Sequence, residues 1–522
     1  MALNRAEILQ ESISKRGYFD IIIIGGGATG LGAAVDSAAR GYSTLLLEQH
    51  DFSKGTSSRS TKLVHGGVRY LQQGNVSLVL EALRERGLMI QNAPHLVRNQ
   101  SFIVPNYDWW EGPFYGVGMK VYDMLAGKLG LGPSKNLSFK KTIELLPTIE
   151  QTGLRGGVIY YDGQFDDSRL AINLVQTAAD HSGLLLNYMK VTGLVKSNDM
   201  VDGVQVTDQL TGQNYTFNGR AVINATGVFT DDVLKMDNPN AANIIAPSQG
   251  VHLVIDKEFS PGSSAIMVPH TDDGRVLFAV PWNGKLVVGT TDTPIEKPSL
   301  EPTALEEEIE FLLKHASQYL TGNPQRKDVR SVFAGLRPLV KAGDGKNTAS
   351  LSRDHTLIIS ESGLITITGG KWTTYRKMAQ DTIDQAATVA GLNIKECVTE
   401  NLRIHGWLKN VDMDDPLHQY GSDKPGILKI IEEKPELGEP LHKRLPYLKA
   451  EVVWAVREEM AMTVEDVLSR RTRALLLDAR ASVDMAPEVA KLMAEEMGHD
   501  KQWQLEQTED YNKIAHAYIL TD

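Results

Sequence analysis

The hydrophobic pattern between residues 19 and 49 predicts a strand, a helix and a second strand. Four consecutive isoleucines, Ile21–Ile24, are typical of a strand that is buried on both faces of a parallel sheet. The next segment is rich in alanine and glycine, so its helix can lie close against that sheet. Gly41 ends the helix before the apolar strand Thr44–Leu47. This order of elements predicts an α/β domain.

Four later apolar runs are short and predict the strands of a second, mainly antiparallel sheet. These runs occupy residues 251–255, 265–269, 276–281 and 285–290. After Gly391 the pattern changes again. Residues 446–498 have the period of amphipathic helices, for which Thr463 and Asp484 are candidate N-caps. The chain therefore combines an α/β region, a second sheet and an all-helical C-terminal domain.

Composition narrows the class of protein. The 522 residues suffice for two or three domains, and 42% of them are hydrophobic. The net charge of −11 argues against nucleic-acid binding, which needs a basic surface. The single cysteine, Cys397, excludes an internal disulfide and a cysteine-based metal cluster, so we expect a reducing compartment and no bound metal. Neither a secretory signal nor a transmembrane helix is expected.

The turn after the first strand carries the chemistry. Gly25, Gly27 and Gly30 form the pattern G-x-G-x-x-G. Such glycines allow a tight turn, close approach of the backbone to a pyrophosphate, and close packing of helix on strand. The helix N-terminus then faces the phosphates. Glu48 ends the second strand, where a carboxylate can accept hydrogen bonds from ribose hydroxyls. Together these features predict a dinucleotide site in a Rossmann-like domain.

Three further segments favour FAD over NAD. The first, residues 56–71 (TSSRSTKLVHGGVRYL), is a long loop rich in hydroxyls and glycine, which suits an extended cofactor. The second is an apolar strand that ends in Ala-Thr-Gly at Gly227. The third, residues 363–384, is a strand followed by a Gly-Gly turn and hydroxyls that open a helix. Each places backbone where it can approach the cofactor.

These motifs resemble those of the FAD-dependent glycerol-3-phosphate dehydrogenases, within the amino-acid-oxidase-like flavoprotein superfamily. The resemblance covers residues 17–390 and continues more weakly to the end. It rests on IIGGGATGLGAAVDSAARG, TSSRSTKLVHGGVRYL, INATGVFTDD, AGLRPLV, LSRDHT and TGGKWTTYRKMAQDTID. The calcium-binding extension of the mitochondrial members and the insertion of the related oxidases are not found in the sequence.

The resemblance implies a reaction. Glycerol 3-phosphate is oxidised to dihydroxyacetone phosphate, hydride passes to the flavin, and electrons pass to a membrane quinone. Three alternatives remain open: an oxidase that uses oxygen, a related flavoprotein with another small anionic substrate such as an amino acid, and a non-catalytic flavin-binding protein.

The resemblance also assigns substrate-site residues. Arg69 and Arg337 are expected at the phosphate, because guanidinium groups offer forked donors, and Arg353 near the other substrate oxygens. His252 is expected as the proton acceptor, although its alternating apolar neighbours also fit a core histidine. Lys371 is expected to stabilise reduced flavin or to contact the substrate. Tyr70 is a further expected substrate contact. The residues expected to bind the cofactor are Gly25, Gly27, Gly30, Glu48, Thr56, Ser57, Ser58, Lys62, Leu63, His65, Gly66, Gly67, Val191, Gly227, Gly370, Lys371, Trp372 and Thr373. His65 is the alternative proton acceptor.

The domains are expected to be interleaved along the chain. Their segments are a FAD-binding domain at 17–100, 152–245 and 347–390, a substrate domain at 101–151 and 246–346, and a helical domain at 391–522. Residues 113–132 combine aromatic, aliphatic and basic side chains, which suits either an interfacial helix or internal packing. We expect a cytoplasmic protein attached peripherally to the inner face of the membrane, with a homodimer left open.

Overall fold

The structure is a computed structural model that describes residues 3–14, 18–67, 75–269, 271, 276–341 and 355–521. Its strands are, in chain order, β1 (Tyr18–Ile24), β2 (Thr44–Leu47), β3 (Leu63–Val64), β4 (Val97–Asn106), β5 (Lys135–Ser138), β6 (Gly156–Phe165), β7 (Leu184–Leu186), β8 (Met189–Ser197), β9 (Met200–Asp208), β10 (Asn214–Asn224), β11 (Ile245–Asp256), β12 (Ala265–Val268), β13 (Leu277–Trp282), β14 (Lys285–Gly289), β15 (Thr293–Pro294), β16 (Val329–Val340), β17 (His355–Ile359), β18 (Ile365–Gly369), β19 (Pro440–His442) and β20 (Leu445–Leu448).

The α-helices of the described ranges are α1 (Arg5–Ser14), α2 (Ala28–Ala39), α3 (Val76–Asn92), α4 (Glu111–Ala126), α5 (Phe139–Leu145), α6 (Asp167–Asp180), α7 (Thr230–Asp237), α8 (Glu306–Tyr319), α9 (Tyr375–Val389), α10 (Lys424–Glu433), α11 (Lys449–Glu458), α12 (Ala474–Leu477), α13 (Ala479–Met497) and α14 (Lys501–His516). None of the helices in this part of the chain has the length and apolar content that a bilayer crossing requires.

The first sheet has the order β17-β18-β10-β1-β2-β7, and the hairpin β8–β9 extends from β10. Strands β18, β10, β1, β2 and β7 run parallel. Ile21–Ile24 are almost fully buried, as expected for a central parallel strand. Helices α2 and α9 pack closely, since a Cβ on Gly32 would lie 2.8 Å from the Tyr375 ring. The α/β prediction is confirmed.

The second sheet has the order β15-β11-β14-β13-β12-β4-β6-β3, with β16 on β11 and β5 on β6. Its pairs are antiparallel except for β12 with β4. The four predicted strands of this sheet are confirmed. The strand Gly156–Phe165, which the sequence assigned to a FAD-binding segment, instead pairs along its whole length with Val97–Asn106 in the second sheet. Ten consecutive residue pairs join the two strands, so Gly156–Phe165 belongs to the second sheet.

The C-terminal region packs α10–α14 around one apolar core. It is helical as expected, apart from the short hairpin β19–β20. The helix α13 begins six residues earlier than predicted: Asp478, rather than Asp484, accepts the Ala481 N–H (3.0 Å). Asp484 instead lies inside the helix.

Candidate active site

The glycine turn is formed by backbone that cannot accept side chains. Gly25 has a positive φ of 108°, and a Cβ there would lie 2.7 Å from the Ala225 carbonyl oxygen. A Cβ on Gly30 would overlap the Gly25 carbonyl oxygen. Gly27 precedes the first residue of α2, so the N–H groups of that helix face the space beside the turn. This is the geometry of a pyrophosphate site.

Glu48 is held by two backbone donors. The Gly26 N–H donates to its Oε2 (2.6 Å) and the His50 N–H to its Oε1 (2.9 Å). Burial raises the pKa of Glu48, and the two N–H bonds oppose that rise. The carboxyl group is therefore oriented before any ligand arrives. Each of its oxygens keeps a lone pair for a further donor.

Two adjoining cavities meet at the loop 56–67. Cavity I, of about 450 Å³, borders the glycine turn, Glu48, Val191 and Gly227. Cavity II, of about 320 Å³, borders His252 and Arg337. The residues common to both walls are Thr56, Pro338, Gly369, Gly370, Lys371 and Trp372. An elongated cofactor in cavity I can therefore present one end to cavity II. The turn, the oriented carboxylate and this connection fit FAD.

The loop 56–67 ties the three cofactor elements together. Ser57 Oγ accepts the first N–H of α2, from Ala28 (2.9 Å), and the Ser57 carbonyl oxygen accepts Trp372 Nε1–H (2.9 Å). The Thr56 hydroxyl donates to the Leu336 carbonyl oxygen (2.6 Å). The segment is thus a connector between the glycine turn, the Gly-Gly turn and the second sheet. Its hydroxyls are used for this purpose.

The structure distributes the expected cofactor residues unevenly. Cavity I is lined by Gly25, Gly27, Glu48, Thr56, Ser57, Val191, Gly227, Gly370, Lys371 and Trp372. Leu63, His65, Gly67 and Thr373, which are also expected at the cofactor, line cavity II. Arg69, Tyr70 and Arg353 lie outside the described residues.

Lys62, Ser58 and Gly66 are not among the residues that line the two cavities, so their expected role at the cofactor stays a prediction. Lys62 is fully buried, and its Nζ donates to Asp167 (2.6 Å) and to the Ser58 carbonyl oxygen (2.8 Å). Burial lowers the pKa of Lys62 to about 8, against the opposing charge of Asp167. The three residues stabilise the loop through contacts inside the protein: Lys62 binds the Ser58 carbonyl oxygen and Asp167, and the Gly66 N–H donates to the Tyr122 hydroxyl. Gly30 likewise serves packing in the turn and does not line a cavity.

His252 is buried in the wall of cavity II. Its ring stacks on Phe333 with centroids 4.8 Å apart and 12° between the planes, and its Nε2 lies 2.9 Å from the Thr61 hydroxyl. Burial, followed by the charges of Lys62 and Arg337, lowers the pKa of His252 well below its usual value. The imidazole is therefore neutral at physiological pH, which is the form that accepts a proton.

Arg337 lies in cavity II on the strand that pairs with β11, at 23% side-chain exposure. Its Nη2 donates to the Thr291 carbonyl oxygen (3.0 Å) and to the Thr290 hydroxyl (3.1 Å), and its Nη1 lies 3.3 Å from Asp292 Oδ1. These contacts orient the guanidinium group. Because part of the guanidinium group is exposed in cavity II, Arg337 can bind an anion there.

Several cavity II residues were missed from the sequence. Thr61, Asp162, Thr290 and Asp292 all line the cavity. Thr61 lies in the loop 56–67, where nothing in the sequence distinguishes it from four neighbouring hydroxyl residues. Asp162 lies on a strand whose sheet was misassigned. The run Gly-Thr-Thr-Asp that contains Thr290 and Asp292 is a polar end to an apolar strand. Only its side-chain contacts with Arg337 show its use.

The C-terminal region supports the same loops from outside. Both Arg470 and Arg471 are buried and donate to Asp51, which follows β2. Arg473 Nη2 donates to the Ser58 carbonyl oxygen (2.6 Å) and to Asp167 (3.1 Å). The C-terminal region thus holds the loops on which Glu48 and Thr61 stand. The sequence of this region contains no motif that predicts such a role.

In the described part of the chain, no group of three or more His, Cys, Asp or Glu side chains has the arrangement of a metal site.

Comparison with known proteins gives two family matches. Residues 20–376 match the family described as FAD dependent oxidoreductase, and residues 362–504 match the C-terminal domain of alpha-glycerophosphate oxidase. A mitochondrial glycerol-3-phosphate dehydrogenase from Macaca fascicularis is 41% identical, covering 95% of this chain and 73% of the relative. One from Arabidopsis thaliana is 39% identical, covering 96% and 86%.

The solved structures agree. The glycerol-3-phosphate dehydrogenase of Bacillus halodurans, determined with FAD, superimposes with a TM-score of 0.81 at 30% identity over 99% of this chain and 98% of that one. The L-alpha-glycerophosphate oxidase of Mycoplasma pneumoniae has a TM-score of 0.56 at 16% identity, over 74% and 98%, and shares the fold.

Fold, glycine turn and adjoining cavities thus define an FAD-dependent oxidoreductase. The chain belongs to the FAD-dependent oxidoreductase family and, within it, to the glycerol-3-phosphate dehydrogenases.

Proposed function

We propose that the protein oxidises glycerol 3-phosphate to dihydroxyacetone phosphate at cavity II, and that the electrons leave to a membrane quinone. The observation that carries the proposal is the placement of His252 and Arg337. They lie on one face of the paired strands β11 and β16, in a cavity that adjoins cavity I. A proton acceptor and an anion-binding group therefore face a common space next to the cofactor.

The roles of the residues follow from their chemistry. Arg337 holds the substrate phosphate with forked, charged donors. His252, neutral and buried, takes the proton of the secondary hydroxyl. Bound FAD supplies the hydride acceptor. Lys371 lies in the wall of both cavities, so its cation favours negative charge where they meet. Arg69 and Arg353 are proposed as further substrate contacts from the family motifs.

Glu48 and the glycine turn hold the cofactor in this scheme. The Glu48 carboxylate accepts hydrogen bonds from ribose hydroxyls, and the first N–H groups of α2 face the phosphates. Thr61 positions His252, because its hydroxyl is the hydrogen-bond partner of Nε2.

Peripheral attachment to the cytoplasmic face of the membrane is part of the proposal. Helix α4 buries Tyr115 and Met119 and exposes the opposite side. Trp109, Val117 and Met124, at and near this helix, are 77%, 67% and 74% exposed. Such a one-sided apolar face suits the boundary between headgroups and acyl chains. Internal packing therefore accounts for the buried side of helix α4 but not for its exposed apolar side.

One experiment separates the functional alternatives. Purified protein is supplied with glycerol 3-phosphate and an artificial electron acceptor, with and without oxygen. We expect turnover with the acceptor in the absence of oxygen, and little peroxide in its presence. Peroxide formation at the rate of dye reduction would indicate an oxidase, and no turnover on glycerol 3-phosphate would contradict the proposed substrate.

A further inference from the structure

A buried lysine lies close to the proposed proton acceptor. Lys62 is fully buried, and its Nζ donates to Asp167 Oδ2 (2.6 Å) and to the Ser58 carbonyl oxygen (2.8 Å). A lysine is almost never fully buried unless it is paired, and burying its charge carries a desolvation penalty. The oxidation proposed at cavity II has so far made no use of this charge.

The backbone at Lys62 lets two neighbouring side chains reach different partners. Lys62 has a positive φ of 64°, a left-handed conformation that residues other than glycine seldom adopt. The hydroxyl of Thr61, the residue before it, lies 2.9 Å from His252 Nε2, whereas Lys62 binds Asp167. The ion pair with Asp167 therefore fixes the loop in the position from which Thr61 reaches His252.

The Lys62 ammonium group and the His252 imidazole contact the same aromatic ring. Nζ of Lys62 lies over the Phe333 ring, 5.3 Å from its centroid, and over the Trp282 ring at 5.4 Å. The His252 ring stacks on Phe333 with the centroids 4.8 Å apart. Charges interact more strongly across such an apolar interior than across water. The ammonium group can therefore act on the imidazole.

Lys62 and Arg337 are the charged groups that oppose protonation of His252. Burial is the largest cause of the lowered pKa of His252, and the charges of Lys62 and Arg337 follow. Burial lowers the pKa of Lys62 itself to about 8, so the ammonium group persists at neutral pH. The charges of Arg473 and Asp166 act on Lys62 as well. Further titratable groups line cavity II: Arg59, His65, Asp162, Asp292 and Lys371.

The two cations differ in their access to the substrate. Arg337 lines cavity II and is the proposed phosphate contact, so bound phosphate offsets its charge. The same phosphate favours a proton on the imidazole of His252, which lines the same cavity. Lys62 is not among the residues that line cavities I and II, so the substrate does not neutralise it. Its positive charge therefore remains when glycerol 3-phosphate is bound.

We propose that Lys62 is a positioning residue for the oxidation: it holds Thr61 against His252, and its fixed positive charge keeps the imidazole neutral while the substrate phosphate is bound. The proposal rests on the function proposed above, in which His252 accepts the proton of the substrate hydroxyl. Lys62 itself takes no part in making or breaking bonds.

The test removes the charge of Lys62 and keeps an unbranched side chain. In Lys62→Met, Asp167 retains the Ser60 hydroxyl (2.7 Å) and Arg473 Nη2 (3.1 Å) as donors. Anaerobic flavin reduction by saturating glycerol 3-phosphate is measured by stopped flow in the FAD-loaded proteins, between about pH 5 and pH 8. We expect the rate of Lys62→Met to begin its fall about one pH unit or more above the wild type. Lys62→Arg keeps the charge and should keep the wild-type profile.

A matched control separates charge from structure. Lys285 also pairs with an aspartate, Asp256 (2.6 Å), but is not among the residues that line cavities I and II, so Lys285→Met should show the wild-type profile. A purely structural role of Lys62 would lower the rate of Lys62→Met at every pH without moving the profile. That result would overturn the proposal, and so would identical profiles in Lys62→Met and the wild type.

A measurement without substrate keeps this proposal separate from the function on which it rests. The NMR signal of His252, in FAD-loaded protein labelled at the histidine Cε1 carbons, is assigned by its loss in His252→Ala. It should titrate at a higher pH in Lys62→Met than in the wild type, and an unchanged titration would contradict the role of the charge. Failure of glycerol 3-phosphate to reduce the wild-type flavin would contradict the proposed function, while the titration still tests the effect of Lys62 on His252.

A second neutral variant guards against misfolding. The amide of Lys62→Gln can still donate to Asp167, and this variant should reproduce the profile and the titration of Lys62→Met. Loss of folding in both neutral variants would show that Lys62 is required for the structure itself and would overturn the proposal.

Discussion

Gly250 lies opposite Gly335 on the paired strands β11 and β16, between the positions of His252 and Arg337. A Cβ on Gly250 would clash with the Arg337 guanidinium, and one on Gly335 would clash with the Arg59 backbone. The two glycines therefore let Arg337 fold back over the strand and let the loop 56–61 approach it. This brings the proposed phosphate group and the proposed proton acceptor into the same cavity.

Removing the Glu48 carboxylate should weaken FAD binding. Glu48→Ala deletes charge-assisted hydrogen bonds to ribose, each of which contributes about 1.5–3 kcal/mol. We expect a lower FAD content after dialysis, measured as the ratio of flavin to protein absorbance. Glu48→Gln keeps the shape and one acceptor, so it should lose less. Full retention of FAD by Glu48→Ala would count against the ribose assignment.

Substrate choice should depend on Arg337. Arg337→Lys keeps the charge but loses the fork, and each lost contact costs about 1.5–3 kcal/mol, or roughly one to two orders of magnitude in kcat/KM for glycerol 3-phosphate. Glycerol should be a very poor substrate for the wild type, because it lacks the phosphate group that Arg337 is proposed to bind. Arg330→Lys, on the same strand but paired with Asp256 outside both cavities, is the control. Unchanged efficiency in Arg337→Lys would place the phosphate elsewhere.

Membrane attachment should require the exposed face of α4. The double variant Val117→Glu/Met124→Glu places two charges on that face and should stay at the bottom of a flotation gradient with zwitterionic vesicles. The wild type should float. Met200→Glu/Leu210→Glu alters two exposed apolar residues on hairpin turns and should float as well. The net charge of −11 predicts no gain from anionic lipid. A wild-type protein that remains at the bottom of the gradient would contradict peripheral membrane attachment.

The C-terminal region should contribute to stability through Asp51. Burial alone would raise the pKa of Asp51, but the guanidinium groups of Arg471 and Arg470 hold it below its usual range. Its contribution is therefore present above about pH 4 and lost only as the pH falls below that value. Asp51→Ala removes the carboxylate that two buried guanidinium groups share, although Arg470 keeps Glu465 and Asp466 as partners. Breaking such a buried pair costs about 3–5 kcal/mol, measured by denaturant unfolding.

A matched pair at the surface provides the comparison. Asp256→Ala removes a partly exposed partner of Arg330 and Lys285 and should cost about 0–1 kcal/mol. Equal losses for Asp51→Ala and Asp256→Ala would mean that the buried arginine cluster does not hold the loops in place.

The sequence predicted the parts of the fold that depend on local pattern. The run Ile21–Ile24 and the glycine turn predicted two central strands of the first sheet and the turn that borders cavity I, because apolar runs and glycine spacing are local signals. The strand Gly156–Phe165 was assigned to the wrong sheet, because its partner, Val97–Asn106, is distant in sequence. The run containing Arg470 and Arg471 has the composition of a solvated surface, and only tertiary contacts show that both are buried.

The same limit applied within the site. Lys62 stands among cofactor-like residues in the loop but points away from both cavities, toward Asp167. Thr61, one residue earlier, reaches His252. Alternation along a loop is not readable from composition. The proposed roles of His252 and Arg337 came from the family motifs, and the register of β11 with β16 explains how they meet.

The anaerobic rate of flavin reduction by glycerol 3-phosphate in His252→Ala tests the central claim most directly. The wild type should be reduced quickly, and its rate should fall only when the pH drops below about 6.5, the ordinary histidine pKa. The reason is that burial lowers the pKa of His252, whose neutral form accepts the proton. Loss of this proton acceptor should slow reduction by roughly 10²–10⁴-fold with FAD still bound, and the fall in rate at low pH should disappear. A variant that reduces its flavin as fast as the wild type would contradict the assignment and make His65 the candidate base.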